Sequence, residues 1–160
     1  VKTVVSQQLS KKAASSILDR MLKTSKFHSK KLFEFCINEN SDNLHKCGLS
    51  KNKVRAIVEL KKAFDKNKIS ATFLEKSSHE IIIEEITKLW GFGKWSADMT
   101  LLFFFGRPDV WSDDDVALKR GIRILSEEDI EKEKLILKAV TPFKSYLSLH
   151  IWKAIDSKIL

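Results

Sequence analysis

The segment Leu89–Asp115 decides the fold, and it reads LWGFGKWSADMTLLFFFGRPDVWSDDD. Two glycines, Gly91 and Gly93, stand two positions apart just before a long apolar stretch. Glycine accepts the positive φ values of a tight turn and lets another backbone approach closely. The apolar stretch ends near Gly106 and Pro108, and three consecutive aspartates follow. The segment is therefore predicted to form a glycine hairpin, a buried helix and an acidic turn.

Outward from this segment, helical periodicity dominates the chain. Apolar residues recur three and four positions apart in residues 13–22 and 54–64, which is the spacing of a buried helical stripe. Ser50 is placed to cap the second of these helices. Ser77 and Ser126 are each followed three residues later by an acid, which is the spacing of a capping box. Few runs alternate with the period of a strand, so we predict an all-α fold of eight to ten short helices.

The size and composition limit the class of protein. The 160 residues suffice for one domain, or for two lobes that share a core, and 43% of them are hydrophobic. No stretch approaches the roughly 18 to 20 consecutive apolar residues of a membrane span. Cys36 and Cys47 are too few for a structural zinc site or an iron–sulfur cluster. The chain begins with Val1 and not with Met, so we expect part of the natural N-terminus to be missing.

The positive charge is concentrated in the first half of the chain. The net charge is +8; residues 1–80 carry 17 Lys and Arg against 8 Asp and Glu, whereas residues 81–160 carry 12 against 13. This asymmetry indicates a polyanionic partner. The alternative is that lysine-rich helices only keep the protein soluble. The lysines of the predicted phosphate-facing surface are Lys11, Lys12, Lys30, Lys31, Lys51, Lys53, Lys61 and Lys62.

The glycine hairpin is suited to hold a phosphate. Backbone amides at a tight turn, and in the first turn of the following helix, point outward toward an anion. Lys94 adds positive charge at the same place. A phosphate held through the main chain is bound without regard to base sequence. The hairpin residues predicted to bind DNA are Gly91, Gly93 and Lys94, and the alternative is a plain helix–turn–helix with a glycine cap.

Three adjacent carboxylates, Asp113, Asp114 and Asp115, precede the next helix. Aspartates at this position commonly cap a helix, and one of the three is expected to do so. Adjacent carboxylates repel one another, so a functional role would explain why the chain carries three of them side by side. A carboxylate beside DNA can stabilise the positive charge that develops on deoxyribose when an N-glycosidic bond breaks, and it can orient or deprotonate the attacking water. Two aspartates could instead hold Mg²⁺ for phosphodiester cleavage, which we rank lower.

With hairpin and acids in place, the chain resembles the helix–hairpin–helix (HhH-GPD) DNA glycosylase superfamily with its Gly/Pro…Asp signature. It is most similar to the bacterial 3-methyladenine DNA glycosylase II branch. The resemblance implies a two-lobed, all-α glycosylase domain over residues 1–160, with the hairpin at 89–94 and a cleft between the lobes. The matching motifs are Val5-Ser-Gln-Gln-Leu-Ser10, Gly48-Leu-Ser-Lys-Asn-Lys53, Leu89–Asp98, Asp109–Gly121 and Pro142–Trp152.

The resemblance also assigns the chemistry. The catalytic carboxylate is Asp115, the acid directly before the Val-Ala-Leu-Lys run, and Asp113 and Asp114 are left with capping and solvation. Bifunctional relatives carry a nucleophilic lysine where this chain has Trp95, and Lys94, one position earlier on a helix, points roughly 100° away. The resemblance therefore implies a monofunctional enzyme that releases alkylated bases of the 3-methyladenine type by base flipping and leaves the strand uncut.

Further positions match the binding surfaces of this family. Trp95, Met99 and Trp152 fall in the base pocket, where aromatic rings stack on a flipped base and attract a cationic purine. Gln8 matches the residue that wedges into the duplex where the target base leaves. No cofactor is implied beyond a structural Na⁺ or K⁺ ion at the hairpin. The backbone carbonyls that match this cation site are those of Thr87, Leu89 and Phe92.

The expected partner is double-stranded DNA with a damaged base, bound by a monomer that does not engage membranes. We expect the protein in the cytoplasm and nucleoid if it is prokaryotic and in the nucleus if it is eukaryotic. Two alternatives stay open. A non-catalytic helix–hairpin–helix DNA-binding module would need neither Asp115 nor the pocket tryptophans. A bifunctional glycosylase/lyase acting on another lesion would require a lysine where Trp95 stands.

Overall fold

The computed structural model of the chain describes residues 1–7, 9, 11–26, 29–66 and 69–160, without the side chains of residues 11, 29 and 30. Within those ranges it contains ten α-helices, two 3-10 helices and no β-strand, so the predicted all-α fold is confirmed. None of the described helices is long and apolar enough to cross a membrane. The chain divides into two compact units, Val1–Ser96 and Ala97–Leu160.

The helices are short and follow one another closely. In the first unit they are α1 (Lys2–Ser6), α2 (Lys11–Ser25), two 3-10 helices (Ser29–Phe35 and Asn38–Asn40), α3 (Ser41–Lys46), α4 (Lys51–Asp65), α5 (Ala71–Lys76) and α6 (His79–Thr87). Helix α7 (Lys94–Phe103) begins in the first unit and continues in the second. The remaining helices of the second unit are α8 (Val116–Leu125), α9 (Ile130–Ala139) and α10 (Lys144–Asp156).

Helix α4 shows how sequence periodicity builds the core of the first unit. Ser50 caps it, because its Oγ accepts the N–H of Lys53 at 3.3 Å, and this predicted cap is confirmed. Val54, Ile57 and Val58 lie on the buried face at 4%, 0% and 3% exposure. Burial of each such side chain contributes about 1.5–3 kcal/mol. The apolar stripe in the sequence is therefore the face that stabilises this unit.

Two other predicted caps are wrong. Helix α6 is capped by Ser78, whereas Ser77 donates its hydroxyl to the carbonyl of Phe73 at 2.9 Å at the end of α5. Helix α9 is capped by Asp129, whose Oδ1 accepts two backbone amides, and not by Ser126. In both places a serine near the end of one helix bonds back to that helix, because unpaired carbonyls are available there. The residue adjacent to the next helix then supplies its cap.

In the second unit, α8 packs closely against α10. The fully buried residues of this contact are Leu118, Ile122 and Ile151. A Cβ atom added to Gly121 would lie 2.2 Å from Cγ2 of Ile151, which is too short for two carbons. Glycine inside a helix costs about 1 kcal/mol relative to alanine. Gly121 is therefore explained by the close approach of the two helices.

Both cysteines, Cys36 and Cys47, are buried free thiols. Burial raises the pKa of the Cys36 thiol to about 11. This thiol is therefore protonated at neutral pH, whereas thiolate is the form that attacks electrophiles and binds metals. The described part of the chain contains no group of three or more His, Cys, Asp or Glu side chains that could hold a metal ion.

Candidate active site and DNA-binding hairpin

The segment that leads to the three aspartates is tied to the start of α10. Ser145 donates its hydroxyl to the carbonyl of Arg107 at 2.7 Å and accepts the amide of Val110 at 3.0 Å. Beside these bonds, the carboxylate of Asp109 pairs with Nζ of Lys144 at 3.1 Å. Ser145 is buried, so its hydrogen bonds are shielded from water. The backbone that carries the aspartates therefore has a defined path over α10.

A second polar contact lies just before Asp115. The hydroxyl of Ser112 donates to the carboxylate of Asp98 in α7 at 2.8 Å, and these two residues are 1% and 2% exposed. Burying a carboxylate destabilises a fold unless the carboxylate is hydrogen-bonded. The bond from Ser112 therefore offsets part of the cost of burying Asp98. The carbonyl of Ser112 then accepts the N–H of Asp115 at 3.2 Å. Sequence reasoning missed this pair, although one aspartate inside an otherwise apolar helix was a signal for it.

Asp115 is itself the N-cap of α8. Its Oδ1 accepts the N–H of Leu118 at 2.9 Å and also the indole N–H of Trp152 at 3.2 Å. The residue is 8% exposed, and the positive end of the helix dipole faces its negative charge. Asp113 and Asp114 are both exposed. The second unit thus holds one oriented carboxylate beside an aromatic ring.

The expectation that capping would fall to Asp113 or Asp114 is wrong. A capping side chain must reach the amides of the first helical turn, and the residue directly before the helix does so. Helix α8 begins at Val116, so this position belongs to Asp115. Capping and the predicted catalytic role therefore fall on the same carboxylate.

Trp152 lies between the acid and an exposed phenylalanine. Its ring is half-buried and stacks on Phe103, with 5.7 Å between the ring centroids and 22° between the planes. Phe103 and Phe104 are 60% and 68% exposed, so the prediction of a buried apolar helix is wrong at its C-terminal end. The helix ends at Phe103, and three consecutive phenylalanines cannot all lie on one buried face. Phe103, whose ring contacts Trp152 beside the candidate site, was not among the residues predicted from the sequence.

The other predicted pocket residues have different surroundings. Met99 is 3% exposed and belongs to the core of the second unit. Trp95, the second residue of α7, is half-buried and belongs to the first unit. The second unit therefore brings together Asp115, Trp152 and Phe103. The assignment of Trp95, Met99 and Trp152 to a base pocket stays a prediction.

The hairpin packs on α4 within the first unit. Gly91 has φ +83°, and a Cβ added there would lie 2.9 Å from Cβ of Ala56. The guanidinium of Arg55 lies 4.0 Å from the centroid of the Trp90 ring. The tight turn and close approach that the sequence predicts are therefore present at Gly91. At Gly93 φ is not positive and an added Cβ would meet nothing within 4 Å.

Gly91→Ala is expected to lower the stability of the first unit by about 2 kcal/mol or more. The left-handed conformation alone costs an L-residue roughly 1–2 kcal/mol, and the contact with Ala56 adds to this. Gly93→Ala is the matched control, and its melting temperature should equal that of the wild type. Thermal unfolding followed by circular dichroism measures both variants. Equal melting temperatures for the two variants would contradict this account of the turn.

Lys53 does not belong to the phosphate-facing surface where the sequence prediction places it. Its Nζ donates to the carbonyls of Val5 at 2.8 Å and Gln7 at 2.7 Å, and burial lowers the pKa of Lys53. The side chain of Gln7 in turn donates to Oγ of Ser96 at 2.9 Å. Lys53 thus joins α4 to the backbone at Val5 and Gln7. Gln8, the predicted wedge, lies outside the described residues, and its role stays a prediction.

Lys61 was also predicted to face phosphate, and this is wrong. It is 7% exposed and pairs with Asp65 and, at 3.2 Å, with Glu34. Lys61 lies one helical turn after the fully buried Ile57, so it falls on the buried face of α4. Its positive charge is therefore paired with carboxylates inside the first unit.

Several known proteins are similar in sequence to this chain over most of its length. The sequence profile described as "HhH-GPD superfamily base excision DNA repair protein" matches residues 1–143. DNA-3-methyladenine glycosylase 1 of Schizosaccharomyces pombe is 28% identical over an alignment of 158 positions that covers 96% of this chain and 69% of that protein. The DNA-3-methyladenine glycosylase of Saccharomyces cerevisiae is 35% identical over an alignment of 172 positions, gaps included, that covers 99% of this chain but 57% of that protein.

Solved structures agree with the sequence comparison. The DNA-3-methyladenine glycosidase of Bacillus halodurans matches with a TM-score of 0.74 and 31% identity, over 96% of this chain and 72% of that one. The S. pombe 3-methyladenine DNA glycosylase Mag1, solved in complex with abasic DNA, matches with a TM-score of 0.75 and 28% identity, over 96% and 77%. The profile match, the fold and the oriented Asp115 agree with one another, and the chain belongs to the HhH-GPD superfamily of base excision DNA repair proteins.

Proposed function

We propose that this protein is a monofunctional DNA glycosylase that flips alkylated bases of the 3-methyladenine type out of duplex DNA and hydrolyses their N-glycosidic bond. One observation carries this proposal: Asp115 is a nearly buried carboxylate held at the N-terminus of α8, with the indole of Trp152 on the same oxygen. The names of the similar glycosylases from yeast and Bacillus support the substrate class.

The chemistry needs few protein groups. As the bond between C1′ and the base nitrogen breaks, its electron pair leaves with the base and positive charge develops on the deoxyribose. The carboxylate of Asp115 stabilises that charge. A water oxygen then bonds to C1′, and one of its protons passes to Asp115 and on to solvent. An alkylated base is positively charged before cleavage and departs neutral, so no general acid has to protonate it.

Trp95 supports release of the base without strand cleavage. A lyase step needs an amine that attacks C1′ and forms a Schiff base. The indole of Trp95 offers no such amine, and Lys94 precedes it on α7, about 100° around the helix. Water is therefore the nucleophile in the proposed reaction, and the strand is left with an abasic site.

The hairpin is the proposed contact with the DNA backbone. Gly91 makes the turn, Lys94 is exposed, and the space above Gly93 is open. A phosphate approaching over Gly93 would meet amides of the hairpin and of the first turn of α7. Gly93→Ala is therefore expected to weaken DNA binding about fivefold to tenfold, the scale of one lost hydrogen bond, at an unchanged melting temperature. Fluorescence anisotropy with labelled abasic DNA measures this, and unchanged affinity would contradict the contact.

The same region is suited to a monovalent cation. Helix α6 ends at Thr87, and carbonyls at a helix C-terminus carry the negative end of its dipole. The carbonyl of Leu89 also accepts the N–H of Phe92 at 3.1 Å, which fixes the turn. We propose that the carbonyls of Thr87, Leu89 and Phe92 hold Na⁺ or K⁺, which would attract a DNA phosphate.

We further propose that the protein acts as a monomer in the compartment that holds the DNA.

One assay separates the proposed function from its alternatives. The protein is incubated with duplex DNA that carries 3-methyladenine, free base is quantified by chromatography, and strand length is read on a denaturing gel before and after alkali. Free base with a strand that breaks only after alkali supports the proposal. Strand cleavage without alkali, with a covalent product trapped by borohydride, supports a glycosylase/lyase. Binding without base release supports a non-catalytic module.

A further inference from the structure

The indole of Trp152 contacts its neighbours through two different parts of the ring, the edge and one face. The edge donates Nε1–H to Oδ1 of Asp115 at 3.2 Å. One face stacks on Phe103 with 22° between the planes. The ring also packs against the buried contact between α8 and α10, which is formed by Leu118, Ile122 and Ile151. Trp152 is therefore held in one orientation by contacts that are independent of its bond to the acid.

The oxygen that Trp152 contacts has a second donor on a different helix. Oδ1 of Asp115 accepts the N–H of Leu118 from α8 at 2.9 Å, while Trp152 reaches it from α10. A capping bond alone holds one oxygen but leaves the carboxylate able to turn about it. A second donor from a fixed direction sets the plane of the carboxylate. Such support from neighbouring groups determines whether a catalytic side chain has a productive orientation.

The residue type at position 152 fits this second bond. Phenylalanine would offer a stacking surface without a donor, and the hydroxyl of tyrosine lies at the far end of its ring. Tryptophan combines a large aromatic face with an N–H on the ring edge. Stacking on a base would therefore explain an aromatic residue here, whereas the bond to Asp115 explains why the aromatic residue is tryptophan.

We propose that Trp152 is a positioning residue for Asp115, whose indole N–H holds the carboxylate in the orientation that the glycosidic reaction needs. The inference rests on the proposed glycosylase function and deepens it. It gives Trp152 a role in the cleavage step that is separate from any contact with the flipped base. The consequence is that loss of the N–H should slow cleavage while leaving substrate binding in place.

The first test is Trp152→Phe, which keeps an aromatic ring and removes the donor. Single-turnover base release from 3-methyladenine DNA is measured over a range of enzyme concentrations. The rate constant at saturating enzyme should fall about tenfold, the scale of one hydrogen bond to a charged group. The half-saturating enzyme concentration should stay within about twofold of the wild type, because the ring remains for stacking. A weaker half-saturation with an unchanged rate constant would overturn the proposal.

The second test combines Trp152→Phe with Asp115→Asn. If the indole acts through the charge of Asp115, Trp152→Phe should change the residual rate of the Asp115→Asn protein by less than about twofold. The same tenfold loss in both backgrounds would show that Trp152 acts by stacking, and the proposal would fail. The cycle reads the coupling between the two residues, which a general loss of structure would not produce.

A third variant guards against a folding defect in Trp152→Phe. Replacement of Trp152 by 3-benzothienylalanine keeps the shape of the indole and puts sulfur where the N–H stands. We expect this protein to melt like the wild type and to show the same tenfold slower cleavage. A wild-type rate would overturn the positioning role. Wild-type protein that releases no base would instead overturn the proposed function itself, so the two failures are distinguishable.

Discussion

Asp115→Asn is expected to lower the rate of base release by about two to three orders of magnitude, the scale of one removed electrostatic stabiliser. The substitution replaces a negative oxygen by an amide of nearly the same shape. The amide oxygen can still accept the N–H of Leu118, so the cap of α8 should survive. The melting temperature and the affinity for abasic DNA should therefore change little. Single-turnover kinetics, thermal unfolding and anisotropy measure the three quantities on the same preparation.

Asp113→Asn and Asp114→Asn are the matched controls. Both residues are exposed, and each substitution removes the same charge within two residues of Asp115. Because exposed charges are screened by solvent, their loss should change the rate by less than about threefold. A loss in either control as large as that of Asp115→Asn would remove the catalytic assignment. So would an Asp115→Asn protein that keeps its activity.

The sequence contained enough information to find Asp115 and the hairpin. The hairpin rests on a local rule, a turn that needs glycine, whereas the choice of Asp115 among the three aspartates rests on the resemblance to the HhH-GPD superfamily. Gly91 has the positive φ that the pattern predicts, and α8 begins directly after Asp115. What the local pattern did not separate was capping from catalysis. The structure makes Asp115 the cap of α8, so the predicted catalytic residue and the capping residue are the same, and a second bond to its carboxylate comes from Trp152, 37 positions away.

The errors at Lys53 and Lys61 have a common physical origin in contacts between distant segments. Lys53 and Lys61 look like surface lysines in sequence, yet one donates to carbonyls near residue 5 and the other pairs with Glu34. Phe103 looks like core and is exposed, because the helix ends there. Charge and hydropathy describe a residue alone, whereas burial depends on which segment packs against it. Periodicity predicted the helices well because it depends on neighbours three and four positions away.

The contact between α8 and α10 links stability to the candidate active site. Asp115 is the cap of α8, Trp152 lies on α10, and Gly121 meets Ile151 between them. The distance between the two helices thus sets the length of the bond from the indole to the carboxylate. A change that pushes these helices apart should weaken that bond even when the protein stays folded.

Gly121→Ala is expected to destabilise the second unit by about 1–3 kcal/mol, the usual range for overpacking a core. An added Cβ would stand 2.2 Å from Cγ2 of Ile151, which is 1% exposed, so the two helices or the isoleucine would have to shift. The sign of the effect is informative. If Gly121 were only a weak position in a helix, alanine would stabilise the protein by about 1 kcal/mol. Denaturant unfolding of the full chain distinguishes the two signs.

The double variant Gly121→Ala with Ile151→Ala tests whether the clash is the cause. Ile151→Ala alone should cost about 2–5 kcal/mol through the cavity it leaves, and it removes the methyl group that Cβ of residue 121 would strike. In the double variant that Cβ enters the cavity, so the loss should be smaller than the sum of the single losses by 1 kcal/mol or more. Additive losses would show that Gly121 and Ile151 do not meet as described.

Base release by the Gly121→Ala protein, measured well below its melting temperature, should fall more than its unfolded fraction predicts, because the displaced α10 draws the indole of Trp152 away from Asp115.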